Sequence, residues 1–301
     1  MNAALPHSIH SRKPCIVTAG PHILHLGTRT HIMGILNMTL DSFSGDGCFA
    51  GSKNPVDKAL KLARRFVREG ADIIDVGGES SRPGSRKVSA QEELRRVIPA
   101  IRILARKIEI PISIDTYKSL VARHALDEGA SIVNNIMGIK IEKSFLRMIR
   151  QYDAAIVLMH MRGTPRTMQR NIHYKNVVSE IIDSLKKSIG NCLEIGIKSD
   201  KIMVDPGIGF AKTADHNLEI ICHLRRFEIL RRPVLVGLSR KSFIGKVLGK
   251  DISGRLSGSL AGACVSIFNG AHIIRAHDVG PTKEIAVMTD AIIHHRKSFS
   301  G

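Results

Sequence analysis

The sequence predicts an α/β protein made of a single (β/α)8 barrel, a TIM barrel, with an N-terminal extension or hairpin closing its bottom. Three observations predict it. Eight short β-branched runs recur along the 301 residues, and most are followed by a longer amphipathic segment, the pattern of repeated βα units. No Pro-, Gly- or Ser-rich linker and no low-complexity tract divides the chain, so one domain is expected. Every run also ends on a polar or ionisable residue, as barrel strands do where their C-terminal ends share one face.

In chain order, residues 1–30 are read as the extension and residues 31–301 as the barrel. No Asp or Glu precedes Asp41, and no apolar stretch of secretory length occurs there, so a cleaved signal peptide is not expected. An acid-free basic lead is also compatible with an organellar transit peptide; the plainer reading is an irregular leading segment of a cytoplasmic protein. Strands are expected near His31 to Leu36, Asp72 to Val76, Ile112 to Ile114, Ile132 to Val133, Ala155 to Met159, Ile202 to Val204, Val234 to Gly237 and His272 to Ile274. The clearest helices between them are Pro55 to Glu69, Ser89 to Lys107, Lys118 to Glu128, Val177 to Ile195, Ala214 to Arg225, Ser257 to Asn269 and Thr282 to His294. In the first, Val56, Leu60, Leu62, Ala63 and Phe66 make an apolar stripe at helical period.

A doubly wound open sheet would show the same alternation, and the strand endings favour the barrel. They are Asn37, Gly77-Gly78-Glu79, Asp115, Asn134, His160, Asp205, Ser239-Arg240-Lys241, and Arg275 with His277. In a barrel these converge on one mouth, whereas along an open edge they could not share one ligand.

Composition narrows the partners. The longest apolar runs fall far short of the roughly 20 residues that cross a bilayer, so no membrane partner is expected. Five scattered cysteines form no CxxC or CxxH pair, which argues for free thiols and against a zinc site. A formal charge of +18 raises nucleic acid as a partner, but the basic residues sit on helical patterns. With 4% aromatics and no Trp there is little for bases to stack on, so an anionic small molecule is expected instead.

Taken alone, Asp115 and Asp205 could cap the following turns, and Asn37 and Asn134 could be turn residues. Taken together with Lys241 they suit a flat heterocycle such as a pterin. Its adjacent N–H and NH2 groups can be accepted by a carboxylate, and its carbonyl can be met by a lysine. Arg82, Arg275 and His277, with the Ser81 hydroxyl, form a second set suited to pyrophosphate, because a guanidinium pairs phosphate oxygens in a planar fork.

The segments IMGILNMTLDSFSGDG (Ile32 to Gly47), GADIIDVGGESSRPGS (Gly70 to Ser85), ISIDTYKSLVARHALDEGASIVNN (Ile112 to Asn135), LMHMRGTP (Leu158 to Pro165), VDPGIGFAKT (Val204 to Thr213), VGLSRKSFIG (Val236 to Gly245) and RAHDV (Arg275 to Val279) resemble, in order, the signatures of the dihydropteroate synthase family. The resemblance implies condensation of 6-hydroxymethyl-7,8-dihydropterin pyrophosphate with p-aminobenzoate in folate synthesis, through a dissociative pterin-methyl cation. It implies a pterin site at Asp115, Asn134, Asp205 and Lys241, and a pyrophosphate site at Asn37, Ser81, Arg82, Arg275 and His277. Mg²⁺ would be held at Asn37, and p-aminobenzoate by Phe43, Ser81, Pro83, Lys241 and Ser242. Asp41, Phe43, Arg82, Lys241, Arg275 and His277 are the implied catalytic set, and a homodimer is the implied assembly. The sequence departs from the family pattern at Leu40, where Pro is usual, in the order Gly45-Asp46-Gly47, at Ser81 for Thr, and at Asn135 for Asp. Two other readings share the barrel: a pterin-binding methyltransferase domain, which has no need of the Arg275 and His277 pair, and a non-catalytic pterin-binding paralogue.

Overall fold

The structure, a computed structural model, describes residues 12–39, 48, 54–80, 87–164, 167–169 and 172–295. A hairpin of β1 (Cys15–Ala19) and β2 (His22–Leu26) leads into β3 (His31–Asn37). Then come α1 (Pro55–Arg68), β4 (Ile73–Gly77), α2 (Ala90–Lys107), β5 (Ile112–Asp115), α3 (Ser119–Asp127), β6 (Ile132–Asn135), α4 (Lys143–Gln151), β7 (Ala155–Met159) and α5 (Val177–Ile195). The chain closes with β8 (Ile202–Asp205), α6 (Ala214–Cys222), β9 (Leu235–Gly237), α7 (Ser242–Leu248), α8 (Leu256–Phe268), β10 (Ile273–Ala276) and α9 (Val279–His295).

The eight strands β3 to β10 form one parallel sheet in the order β8-β7-β6-β5-β4-β3-β10-β9. The parallel bridge Val204–Val234, with Val204 N–H donating to the Pro233 carbonyl at 3.0 Å, joins its two ends into the barrel. The strands are almost wholly buried because helices cover the outside while side chains fill the inside, which is why β4 reads IIDVG and β7 AIVLM without polar alternation. The hairpin supplies what the barrel lacks at its base. Val17, Ala19, Leu24 and Leu26 pack on Met33, Ile73, Ile132, Ala155, Met203, Leu235 and Ile273, near the strand starts. Arg12 anchors the lead to this hairpin. Its guanidinium is buried against Asp290 of α9 and donates to Thr30 Oγ1 at 2.6 Å and the Ala271 carbonyl at 2.8 Å.

Local signals set the helix ends. Asn54 caps α1 by accepting from Asp57 N–H, with Pro55 at the first helical position, where its missing N–H costs nothing. The last helix begins at Val279, three residues before the expected Thr282, because Pro281 falls in the first turn where no intrahelical N–H is needed. The segment expected as one helix from Ala214 to Arg225 divides into α6 and a 3-10 stretch, Leu224–Leu230. Two helices absent from the sequence reading, α4 and α7, span only 9 and 7 residues, too short for the 3.6-residue period to stand out.

Candidate active site

Register aligns the strand ends. Asn37 pairs with Gly77, Gly77 with Asp115, and Asp115 with Asn134, so four adjacent strands present one row across the mouth. On the other flank of β3 lies β10, where Arg275 pairs with Met33 of β3 and Gly237 of β9.

Arg275 crosses the floor. Its Nε donates to Asp75 Oδ2 at 2.6 Å and its Nη2 to Asp115 Oδ2 at 2.7 Å, while Asn134 Nδ2 donates to the same Asp75 oxygen at 3.1 Å. Asp115 therefore does not cap a helix; its carboxylate faces inward, its side chain 15% exposed. Burial pushes its carboxyl up to about 7, with the nearby carboxylates of Asp75 and Glu93 adding to the rise and Arg275 and Lys241 opposing it. Asp75 was not singled out from sequence. The signal was present: one carboxylate in the middle of the apolar strand IIDVG, fully buried, requires a buried partner.

The opposite wall is the loop between β8 and α6. Asp205 is buried and its Oδ1 accepts from Gly207 N–H at 2.6 Å; burial raises its carboxyl, and Lys241 counteracts that rise. Gly207 has φ +72, and a Cβ there would lie 2.0 Å from the His160 carbonyl, so only glycine lets the loop pass this close to β7. Gly209, at φ +82, gives way in the same manner to Lys241, whose Cδ would lie 2.9 Å from an added Cβ. Lys241 Nζ donates to the Ile208 carbonyl and sits 4.4 Å from the centre of the Phe210 ring. Desolvation brings its ammonium down to about 8, although Asp205 and Asp115 both favour the charge. A carboxyl near 7 beside an amine near 8 is the kind of paired perturbation that marks a working site.

Lys212, also not singled out earlier, underlies this loop. It is 3% exposed and donates to the Phe210 carbonyl at 2.8 Å and toward His160 Nδ1 at 3.1 Å. Burial holds the lysine well below its usual range and pulls the His160 imidazole down to about 2, so the histidine is neutral and can accept. His160 had been read only as a strand ending.

His277 stands at the end of β10. Its backbone N–H and Nδ1 both lie on Ser239 Oγ, at 3.3 and 3.0 Å, which fixes the ring against the β9 loop. That loop is clamped to β10 by its neighbours. Arg240, a non-glycine residue at φ 57, forks onto Asp278 at 2.5 and 2.9 Å, so Lys241 and His277 are held by adjacent residues of one ion pair. Ser242 is exposed at the start of α7. Asn135 is buried, and its Oδ1 accepts from Met137 N–H at 2.8 Å in a local turn, a role that Asp could also fill.

The structure thus brings together Asp115, Asn134, Asp205, Lys241 and Arg275, with Asn37 in the same register row and His277 beside the β9 loop. Asp41, Phe43, Ser81, Arg82 and Pro83, with Leu40 and Gly45-Asp46-Gly47, lie outside the described residues. The residues flanking positions 81–86 are described. Lys118 pairs with Glu79 at 2.5 Å and with buried Glu93, and Glu79 Oε1 accepts from Val88 N–H at 3.0 Å across the loop's base.

The fold and this mouth define a (β/α)8 barrel enzyme whose strand ends gather carboxylates, an amide, a lysine and an arginine in one place. Residues 33–277 match the family model described as pterin binding enzyme. The dihydropteroate synthase of Synechocystis sp. is 43% identical over 280 residues, spanning 93% of this chain and 96% of the relative. The crystal structure of Yersinia pestis dihydropteroate synthase in a sulfonamide drug complex aligns with TM-score 0.85 and 37% identity, covering 95% of this chain and 100% of that one. The Burkholderia cenocepacia enzyme complexed with 7,8-dihydropteroate aligns with TM-score 0.84 and 35% identity, covering 95% and 99%. The chain belongs to the dihydropteroate synthase family of pterin-binding barrel transferases.

Proposed function

We propose that this chain condenses 6-hydroxymethyl-7,8-dihydropterin pyrophosphate with p-aminobenzoate, giving 7,8-dihydropteroate and pyrophosphate in folate synthesis. The observation that carries the reading is the mouth itself: Asp115 and Asn134 in one register row, Asp205 at the end of β8 with Lys241 on the loop after β9, and Arg275 tied to Asp115. Residues 31–301 would be the catalytic barrel and residues 1–30 the extension at its base.

In this mechanism Asp115 and Asp205 accept hydrogen bonds from the ring N–H and amino groups of the pterin, and Lys241 donates to its carbonyl. The bond between the pterin methylene carbon and the pyrophosphate oxygen breaks heterolytically, the electron pair leaving with pyrophosphate. Positive charge then spreads into the ring, where the buried carboxylates hold its N–H groups more strongly than in the ground state. The arylamine lone pair forms the new C–N bond, and its nitrogen gives up a proton to the departed pyrophosphate or to water. Arg275 and His277 stand at the pyrophosphate side, where a guanidinium and an imidazole favour departure of the anion. Asp41, Phe43, Arg82 and the p-aminobenzoate contacts Ser81, Pro83 and Ser242 complete the proposal as the resemblance assigns them.

For the metal, the donor set fits Mg²⁺. Asn37 offers one hard amide oxygen beside the row, and Mg²⁺ takes one or two protein ligands alongside substrate phosphates and water. Among the described residues no cluster of three or more His, Cys, Asp or Glu offers a caged metal site. Bound at Asn37, Mg²⁺ would offset the negative charge that pyrophosphate gathers as it leaves.

A homodimer through α8 and α9 is part of the reading. Its support is the outward exposure of Val265, Phe268, Val287, Met288 and Ile292 on these adjoining helices. The cytoplasm is the proposed compartment. All five cysteines are free, as a reducing environment would keep them, and among the described residues no helix is long and apolar enough to cross a membrane.

The test is release of pyrophosphate from the pterin substrate with Mg²⁺, with and without p-aminobenzoate, in the wild type and in Lys241→Ala and Arg275→Ala. Release that requires p-aminobenzoate and collapses in both variants is expected. Tight pterin binding without release in the wild type would instead identify a non-catalytic pterin-binding protein.

A further inference from the structure

At the end of the barrel away from the strand-end row, a cavity of about 310 Å³ opens between the lead into β1, the Leu224–Leu230 turn and the starts of β9 and β10. That volume is at the lower end of small-molecule sites, roughly 300 to 1,000 Å³. Five basic residues line it, Arg12, Lys13, Arg225, Arg231 and Arg232, against one acidic residue, Glu228. Two of these charges are answered within the protein: Arg12 by Asp290, and Lys13 by Glu228 at 3.3 Å. Among the described residues no carboxylate lies within ion-pair distance of Arg231 or Arg232.

Arg232 carries the strongest indication of a missing acceptor. Its Nη1 donates to the Arg231 carbonyl at 2.7 Å, but its Nε is buried with no hydrogen-bond partner among the described residues. A buried N–H left unpaired is costly, and native proteins rarely tolerate one without a reason. The backbone holds the pair firmly. Arg231 is a non-glycine residue in the left-handed region, φ 49 and ψ 40, and Arg232 precedes Pro233, which restricts it to extended conformations. The remaining wall is apolar, with buried Leu224 and Val234 beside Pro14. His272 closes the wall between them, its Nδ1 accepting from Val234 N–H at 3.2 Å.

We propose that this cavity binds a small phosphorylated metabolite, its phosphate dianion held by the guanidiniums of Arg231 and Arg232 and its compact apolar body resting on Leu224, Val234 and Pro14. Two guanidiniums without counter-charge match a dianion better than a carboxylate, and the forked donors match phosphate oxygens. The site is separate from the catalytic mouth. His272 and Arg275 are three residues apart on one strand, about 10 Å at 3.3 Å per residue, so the proposal stands whether or not the reaction assigned above is correct. It also gives part of the +18 charge a use that the mouth does not.

The experiment is calorimetric titration of the full-length protein with phenyl phosphate, with inorganic phosphate and benzoate as comparison probes. The variants are Arg232→Ala, Arg231→Asn, which keeps a residue tolerant of the left-handed region, and Arg275→Ala, which disables the mouth. Phenyl phosphate should bind the wild type and Arg275→Ala alike, and at least roughly tenfold more weakly to each pocket variant, a difference of about 1.4 kcal/mol. Inorganic phosphate and benzoate should each bind the wild type more weakly than phenyl phosphate does. Unchanged melting temperatures would show that the pocket variants fold. Binding that vanishes in Arg275→Ala but survives in both pocket variants would place the probe in the mouth and overturn the proposal. Absence of binding to the wild type, or equal binding by all four proteins, would also overturn it.

Discussion

Replacing Asp75 by Asn isolates the residue on which the floor of the mouth depends. Asp75 Oδ2 takes hydrogen bonds from Arg275 Nε at 2.6 Å and Asn134 Nδ2 at 3.1 Å, and the side chain is fully buried. An amide keeps the shape and one acceptor oxygen but loses the charge, and a bond to a charged partner is stronger than a neutral one by about 1 kcal/mol. Its NH2 would replace Oδ1, which has no hydrogen-bond partner among the described residues, so buried donors without acceptors add roughly 1 to 3 kcal/mol. The expected loss is about 3 kcal/mol, which at roughly 2 °C per kcal/mol for a chain of this size lowers Tm by about 6 °C. Arg275 remains tied to Asp115, so the fold survives. Asn134, however, loses the carboxylate that orients it, and KM for the pterin substrate should rise roughly tenfold, or about 1.4 kcal/mol of binding. The assays are urea unfolding at pH 7 and pyrophosphate release over a range of pterin concentrations. A variant with wild-type stability and an unchanged pterin KM would refute the role given to Asp75.

Two further outcomes follow from the geometry. The Asp115 carboxyl is raised from its ordinary value, 3.8, to about 7. The folded state therefore binds the extra proton between those values, and this contribution to stability is full below about pH 4 and lost as pH rises through 7. The stability difference between wild type and Asp115→Asn should drift against the wild type over that window and level off above it; a difference flat from pH 4 to 8 would count against the assignment. Met288→Glu places a charge on the exposed apolar face of α9 and should shift the protein from dimer to monomer in sedimentation equilibrium, with pyrophosphate release retained at saturating substrate. A monomeric wild type, or an undisturbed dimer in the variant, would remove α9 from the interface.

Much of the architecture was legible because it is written in local patterns. β-branched runs alternating with amphipathic segments mark the strands and long helices, and the polar residue closing each run marks the mouth. What escaped was short or paired at a distance. Helix α4 spans 9 residues, too few for periodicity to stand out from chance. Asp75 and Arg275 are 200 residues apart and meet only because the last strand, β10, pairs with β3 and so lies one strand away from β4. Lys212 reads in sequence as one more surface lysine and is instead sealed beneath the Phe210 loop, because Gly207 allows that loop against β7.

The sequence by itself determined which residues end the strands and therefore which side chains stand at the strand ends, since an apolar run and the polar residue that breaks it are properties of neighbouring residues. Only the tertiary structure decided how those side chains pair, that Asp115 answers Arg275 rather than capping a helix, and that its carboxyl is driven up toward neutrality. Register and burial belong to the closed sheet, and the electrostatic cost of a buried charge depends on what the rest of the chain brings beside it.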